Sequence, residues 1–210
     1  MHFLMETAHH TTGAKDLALQ SLRRPMTAAL IAAVAIAAAG CTGRSASDLT
    51  AQFAPLLHLR DQAVANAAAG KRSLDPASLN QLGVCYGDLR AASDQYTGFI
   101  AGVVQSSAFD GAQNQADERN LQHAIASYND CLLKLQKVAA STSAAPSLTL
   151  LDTDWVPAFG RGIDAYWGHD GSMVKLLSPS GRARVVEQIT SETAWPDFAA
   201  VGGGSPPPSQ

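Results

Sequence analysis

Several side chains able to do acid–base, nucleophilic or metal chemistry lie close together in the last third of the chain. They are Asp152, Asp154, Asp164, His169, Asp170 and Ser172. Two carboxylates that converge on a sugar linkage can cleave it, one as the acid and the other as base or nucleophile. A carboxylate, a histidine and a serine are also the residue types of a hydrolase triad.

The sequence around these side chains matches neither a calcium-binding loop nor the serine site of a hydrolase. Asp152-Thr153-Asp154 could begin a calcium loop, but Val156 and Pro157 stand where further ligands and a glycine are needed. Ser172 lacks the glycine pattern of a nucleophile elbow. A solvent-exposed polar loop explains the same residues, and we predict no catalytic residue, no metal and no cofactor.

Cys85 and Cys131 are the candidates for a disulfide. Each lies on an apolar stripe with helical spacing, and the position midway between them is 108, beside the turn signal Phe109-Asp110-Gly111. Antiparallel helices bring residues level when they are equally far from the turn. We therefore predict a bridge between the two, which an oxidising compartment would preserve. Two buried free thiols packed as small hydrophobic groups are the alternative.

An uncharged run from Met26 to Gly40 follows Arg23 and Arg24 and ends at Cys41. It has about 15 residues, whereas a spanning helix needs about 20. Its length is typical of the apolar region of a signal peptide. Three small residues, Ala38-Ala39-Gly40, precede Cys41 directly. The chain becomes polar immediately after this cysteine.

This ending resembles the lipobox of bacterial lipoproteins. In that class the cysteine thiol is diacylglycerylated, a peptidase cuts before it, and the new amine is acylated, often with palmitate. The resemblance implies lipidation at Cys41 and a membrane anchor. Two features depart from the class pattern: Ala38 stands where leucine is usual, and a long leader precedes Arg23. An uncleaved anchor, a plain apolar helix and a twin-arginine signal are the alternatives.

The composition limits the remaining possibilities. The 210 residues carry a net charge of −3, and 16% of them are charged, below the roughly 25% of ordinary soluble chains. No basic cluster is available for phosphate contacts, so we predict no nucleic-acid partner. We divide the chain into a leader and signal peptide (1–40), a lipidated tether (41–47), one helical domain (48–200) and a disordered Gly/Pro tail (201–210).

The apolar spacing predicts helices almost throughout. The first begins at a Ser47 or Asp48 cap, is kinked or restarted by Pro55, and ends near Gly70. The second begins at an Asp75 cap with Pro76 at its first position and extends to about residue 107. A third follows the turn at 109–111. The predicted fold is all-α: an antiparallel bundle of three long helices plus a shorter, aromatic-rich helical C-terminal part.

Small residues form one face of the second predicted helix. At 100° per residue, Gly87, Ala91, Gly98 and Gly102 fall roughly opposite the apolar stripe of that helix. Each glycine costs about 1 kcal/mol against alanine inside a helix. A face of this kind lets another backbone approach closely, and we interpret it as a candidate docking face. A central helix packed by neighbours on both sides explains the same residues.

These observations predict a lipid-anchored cell-envelope protein that docks another envelope protein, or a second copy of itself, without catalysis. Thr42, rather than Asp, follows the cysteine, which in a Gram-negative host implies the outer membrane, facing the periplasm. Two alternatives stay open. One is a lipid-anchored hydrolase of envelope glycans that uses acids of 152–170. The other is a small-molecule or metal binder with a pocket under Trp155 and Trp167.

Overall fold

The structure, a computed structural model, describes residues 46–140, 147–165 and 177–202. Those ranges are helical apart from turns and extended linkers, and they contain no strand. The helices are α1 (Ala46–Ser73), α2 (Pro76–Ser106), α3 (Gly111–Ala139), α4 (Val156–Ile163) and α5 (Pro179–Glu192). The prediction of an all-α fold is confirmed.

Helix α1 is one element that includes Pro55, so of the two predicted effects of this proline, a kink or a restart, the helix does not restart. Proline removes one backbone hydrogen bond from a helix. Phe53 and Leu56, on either side of Pro55, are both buried. Burial of apolar side chains on both sides holds the two halves in one helix. The helix also continues past Gly70 to Ser73.

The predicted boundaries at the start of α2 and between α2 and α3 are confirmed. Side chains close in the sequence cap both helices at their starts. Asp75 accepts hydrogen bonds from the backbone N–H groups of Ala77 and Ser78, at 2.9 and 3.0 Å. Asp110 caps α3 in the same way. Between them, Ser107 has a left-handed φ of 58° and ends α2.

One core connects the helices. Helix α2 contacts α1, α3 and α5, α3 also contacts α4, and α1 also contacts α5. The largest fully buried side chains are Phe53, Leu56, Leu59, Leu82, Tyr86, Leu89, Tyr96, Ile100, Leu121, Ile125 and Tyr128. Aromatic edges join the short α4 to this core, because the Phe159 ring packs against the rings of Phe53 and Tyr96.

The chain after α5, residues 193–202, lies across α1 and α2, and we call it the C-terminal strap. Trp195 Nε1 donates to Ser93 Oγ at 3.2 Å, and Tyr86 Oη donates to the Pro196 carbonyl at 2.9 Å. The Phe198 ring packs on Gly83, where an added Cβ would lie 3.1 Å from the ring. The missing side chain of Gly83 therefore makes room for the strap.

The end of the strap is fixed to α1. Lys71 Nζ donates to the carbonyl oxygens of Ala199 and Val201, at 2.8 and 2.6 Å. The same amine lies 5.2 Å from the centre of the Phe198 ring. Val201 is 4% exposed. The packed part of the chain thus includes one residue beyond the predicted domain boundary at 200.

An extended segment, residues 147–152, links α3 to α4 and is held by amide side chains. Asn129 of α3 accepts from the N–H of Leu151 and donates to its carbonyl oxygen, both at 2.8 Å. Gln136 donates to the carbonyl of Leu148 at 2.7 Å. Leu148 and Leu151 are buried, whereas Leu150 is exposed. Side-chain amides thus supply the partners that a neighbouring strand would supply in a sheet.

Candidate functional site

The four small residues of the candidate docking face are exposed along the outer side of α2. Gly87, Ala91, Gly98 and Gly102 all face away from the core. A Cβ added at any of the three glycines would meet nothing within 4 Å. The described part of the chain does not cover this face. We call these four residues the open face of α2.

No contact within the described residues explains the glycines of the open face. Gly83 differs, because the Phe198 ring occupies the space over it. The three glycines of the open face have neither a close neighbour nor a positive φ. Each still costs the helix about 1 kcal/mol relative to alanine. Val84, which is 53% exposed, adds an apolar side chain near the N-terminal end of this face.

The cysteine pair lies inside the bundle, between α2 and α3. Cys85 and Cys131 are placed as a disulfide, with a Cα–Cα distance of 6.6 Å. Cys131 is buried and Cys85 is half-buried. This agrees with the pairing predicted from the turn at 109–111. The bond would tie two helices that already share the largest part of the core.

The structure does not bring Asp152, Asp154 and Asp164, the described acidic residues of the predicted cluster, into one site. Asp152 and Asp154 are exposed beside the start of α4, where Asp152 Oδ1 accepts from the Asp154 N–H at 2.9 Å. Asp164 lies at the other end of α4 and is also exposed. His169, Asp170 and Ser172 lie outside the described residues, so the alternative of a hydrolase that uses acids of 152–170 stays a hypothesis.

Of the two tryptophans of the predicted aromatic pocket, Trp155 and Trp167, the structure describes only Trp155. Trp155 is half-buried, and its indole N–H donates to the carbonyl of Asp152 at 2.9 Å. Its ring packs edge-on against Phe159, with 5.7 Å between the centroids. Trp155 thus closes the bundle at the start of α4. Trp167 lies outside the described residues.

Asp164 instead lines a polar cavity of about 330 Å³ between α3 and α4. The lining residues are Gly111, Asn114, Gln115, Glu118, Arg119, Gly160, Arg161 and Asp164. Asp152 is not among them. Four of these side chains carry charge, two of each sign, and none of the four forms an ion pair within the described ranges. We call this space the α3–α4 cavity.

Glu118 enters the α3–α4 cavity because Gly160 has no side chain. A Cβ at position 160 would overlap the Glu118 carboxylate. Burial raises the pKa of Glu118, and the nearby guanidinium groups of Arg161 and Arg119 partly offset this effect. Glu118 is therefore a carboxylate that the fold partly removes from water without giving it a salt-bridge partner.

A buried hydrogen-bond chain fixes α4 against α3 below the cavity. Tyr96 Oη donates to Asn114 Oδ1 at 2.9 Å, and Asn114 Nδ2 donates to the Gly160 carbonyl at 3.1 Å. Asn114 is 3% exposed. Because buried polar groups are costly when unpaired, this chain positions the Gly160 backbone relative to α3.

Sequence reasoning missed the α3–α4 cavity and the amide side chains of Asn129 and Gln136 that hold the segment 147–152. One signal was present: Asn114 and Glu118 are four residues apart, so they share one face of α3. A second was Gly160 in the middle of a short predicted helical segment. Neither signal identifies its counterpart, because Gly160 lies more than 40 positions along the chain from Glu118.

The lipobox-like ending at Cys41 lies outside the described residues, and lipidation stays a prediction. None of the described helices is both long and apolar enough to cross a membrane. Among the described residues, no group of three or more histidine, cysteine, aspartate or glutamate side chains is arranged to hold a metal ion.

Comparison with known proteins gave no relative. No protein-family model matches the chain, and no curated protein or solved structure shows significant similarity to it.

Proposed function

We propose that this protein is a lipid-anchored component of a bacterial cell envelope that docks another envelope protein through the open face of α2, without catalysis. The single observation that carries docking is the empty space over Gly87, Gly98 and Gly102. The anchor rests on the lipobox-like ending at Cys41.

The occupant that fits the open face is a helix of the partner protein. Glycines spaced by four let two helix backbones approach closely. The face is lined by small residues over about four turns, from position 87 to 102, so a helix could lie along it. Asp88 is exposed beside the face, which favours a partner helix with a basic residue at its margin.

For the bundle itself, we propose that the three long helices are antiparallel. Short connections join α1 to α2 and α2 to α3, which is typical of antiparallel neighbours. Two links between α2 and α3 are consistent with this arrangement. Tyr96 bonds Asn114 near the turn, and Cys85 pairs with Cys131 farther from it.

The anchor is tested by the intact mass of the protein extracted from membranes. We expect a chain that starts at Cys41, carries acyl mass, and gains two alkylated thiols only after reduction. A chain that retains residues before Cys41, or lacks acyl mass, would remove the lipoprotein proposal.

Docking is tested by site-specific crosslinking in intact cells. A photoreactive amino acid at Ala91, in the middle of the open face, should give one defined crosslinked product. Gly98→Leu in the same chain should abolish it, because the leucine fills the space of the partner backbone. Ala126→Leu, on an exposed position of α3, is the matched control and should leave the product unchanged. A product that survives Gly98→Leu would refute docking at this face.

A further inference from the structure

The α3–α4 cavity is lined by charged side chains of both signs, and these described side chains form no ion pair with one another. Arg119 and Arg161 carry positive charge, and Glu118 and Asp164 carry negative charge. The ion pairs within the described residues involve other side chains, on α1, α2 and the C-terminal strap. Charges of both signs are therefore available around one cavity.

The placement of Glu118 shows that the negative side of the cavity is built by the fold. The carboxylate lies in the space where residue 160 would carry a Cβ. Asn114 donates directly to the Gly160 carbonyl, and the Tyr96 hydroxyl donates to Asn114 Oδ1, which fixes the Asn114 side chain. Glu118 is half-buried, whereas Arg119, Arg161 and Asp164 are exposed. A charged group that is partly removed from water gains most from a partner of opposite charge.

We propose that the α3–α4 cavity binds a small zwitterion, such as a short peptide with free termini. The carboxylate of this ligand would contact the guanidinium groups of Arg119 and Arg161, and its ammonium would contact Glu118 and Asp164. Guanidinium groups bind carboxylates through paired N–H donors, which gives the positive side its selectivity. This inference is independent of the open face of α2.

The size of the cavity agrees with a ligand of this class. Its volume of about 330 Å³ is near the lower end of small-molecule sites, which span roughly 300–1,000 Å³. Asn114 and Gln115 add amide groups to the lining, which can pair with a peptide bond. Both charged ends of a dipeptide would then have partners among the lining residues of one cavity.

The test is a titration of the full chain in detergent micelles with alanyl-alanine, followed by backbone amide resonances of Gly111 and Gly160. We expect saturable shifts of both resonances. N-acetyl-alanyl-alanine lacks the ammonium and alanyl-alanine amide lacks the carboxylate, and each should bind at least tenfold more weakly. Equal binding of either derivative, or no saturable shift with alanyl-alanine, would overturn the proposal.

Two variants and their controls locate the ligand. Glu118→Gln and Arg161→Gln should each weaken binding at least tenfold, the first by removing the partner of the ammonium and the second that of the carboxylate. Asp88→Asn and Arg72→Gln change the same charges at exposed positions of α2 and α1 and should bind normally. Normal binding by both cavity variants would contradict this site.

Gly160→Ala tests the placement of Glu118 without changing any charge. The added methyl group must displace the Glu118 carboxylate, so binding should weaken while the helical circular dichroism stays unchanged. Gly162→Ala, where an added Cβ meets nothing within 4 Å, is the matched control. Unimpaired binding by a folded Gly160→Ala protein would refute the assigned role of Glu118.

Discussion

Asn66 and Thr149 exchange two hydrogen bonds, although 83 positions separate them in the chain. Asn66 Nδ2 donates to the Thr149 carbonyl and the Thr149 N–H donates to Asn66 Oδ1, both at 2.8 Å. Asn66 is 3% exposed. Together with Asn129, which binds Leu151 in the same way, it holds the linker between α3 and α4 on the bundle.

Replacing Asn66 with alanine should lower the free energy of unfolding by about 1–3 kcal/mol, since buried hydrogen-bonding groups lose their partners. Asn80→Ala, at an exposed position of α2, is the control and should change stability little. Chemical denaturation of both variants measures the difference. Equal stability of Asn66→Ala and the unaltered protein would contradict the role of this clamp.

The glycines of the open face should behave opposite to Gly83. Gly98→Ala should raise the free energy of unfolding by about 1 kcal/mol, because helix propensity improves and nothing obstructs the methyl group. Gly83→Leu should lower it, because the Phe198 ring already fills that space. Thermal denaturation compares the two, and a destabilising Gly98→Ala would mean that an unseen contact covers the face.

Loss of the cysteine pair should destabilise the fold. The bond closes a loop with a sequence separation of 46 residues, and the chain-entropy relation then gives about 3–4 kcal/mol. We expect the double variant Cys85→Ala/Cys131→Ala to unfold at correspondingly lower denaturant concentration than the oxidised protein. Reduction should shift the unaltered protein in the same direction and leave the double variant unaffected. A reductant effect on the double variant would point to a different cause.

Glu118 should make the protein less stable as pH rises. Its pKa is raised in the folded state, first by burial, so the folded protein holds this proton more tightly than the unfolded chain does. The group therefore opposes folding above its folded pKa and is neutral below its ordinary value of 4.5. Glu118→Gln should be more stable than the unaltered protein at pH 7.

The stability advantage of Glu118→Gln should disappear as the pH falls below the ordinary glutamate pKa, where both side chains are uncharged. Asp75 supplies the opposite case for comparison. Hydrogen bonds from the Ser78 side chain and backbone lower its pKa, so its stabilising effect is lost as pH falls through that lowered value. An advantage of Glu118→Gln that persists at low pH would show that charge is not its origin.

Interactions close in the sequence predicted the helices and their boundaries. Asp75 with Pro76, Asp110, and Ser178 with Pro179 each cap a helix through groups within three residues. Apolar spacing predicted the buried faces, and symmetry about the turn predicted the cysteine pair. These features follow from short-range sterics, local hydrogen bonding and the helical period of 3.6 residues. All three depend on residues close together in the sequence.

Contacts between distant positions could not be anticipated in this way. Nothing near Glu118 indicates that Gly160 will receive its carboxylate, and nothing near Gly83 indicates Phe198. Two glycines of α2 therefore have different surroundings. Gly83 is covered by the C-terminal strap, whereas no described residue lies over Gly87. Helical period places both on the outside of the apolar stripe. Which of them a distant segment covers depends on how the helices pack, because packing brings together surfaces that the chain itself keeps far apart.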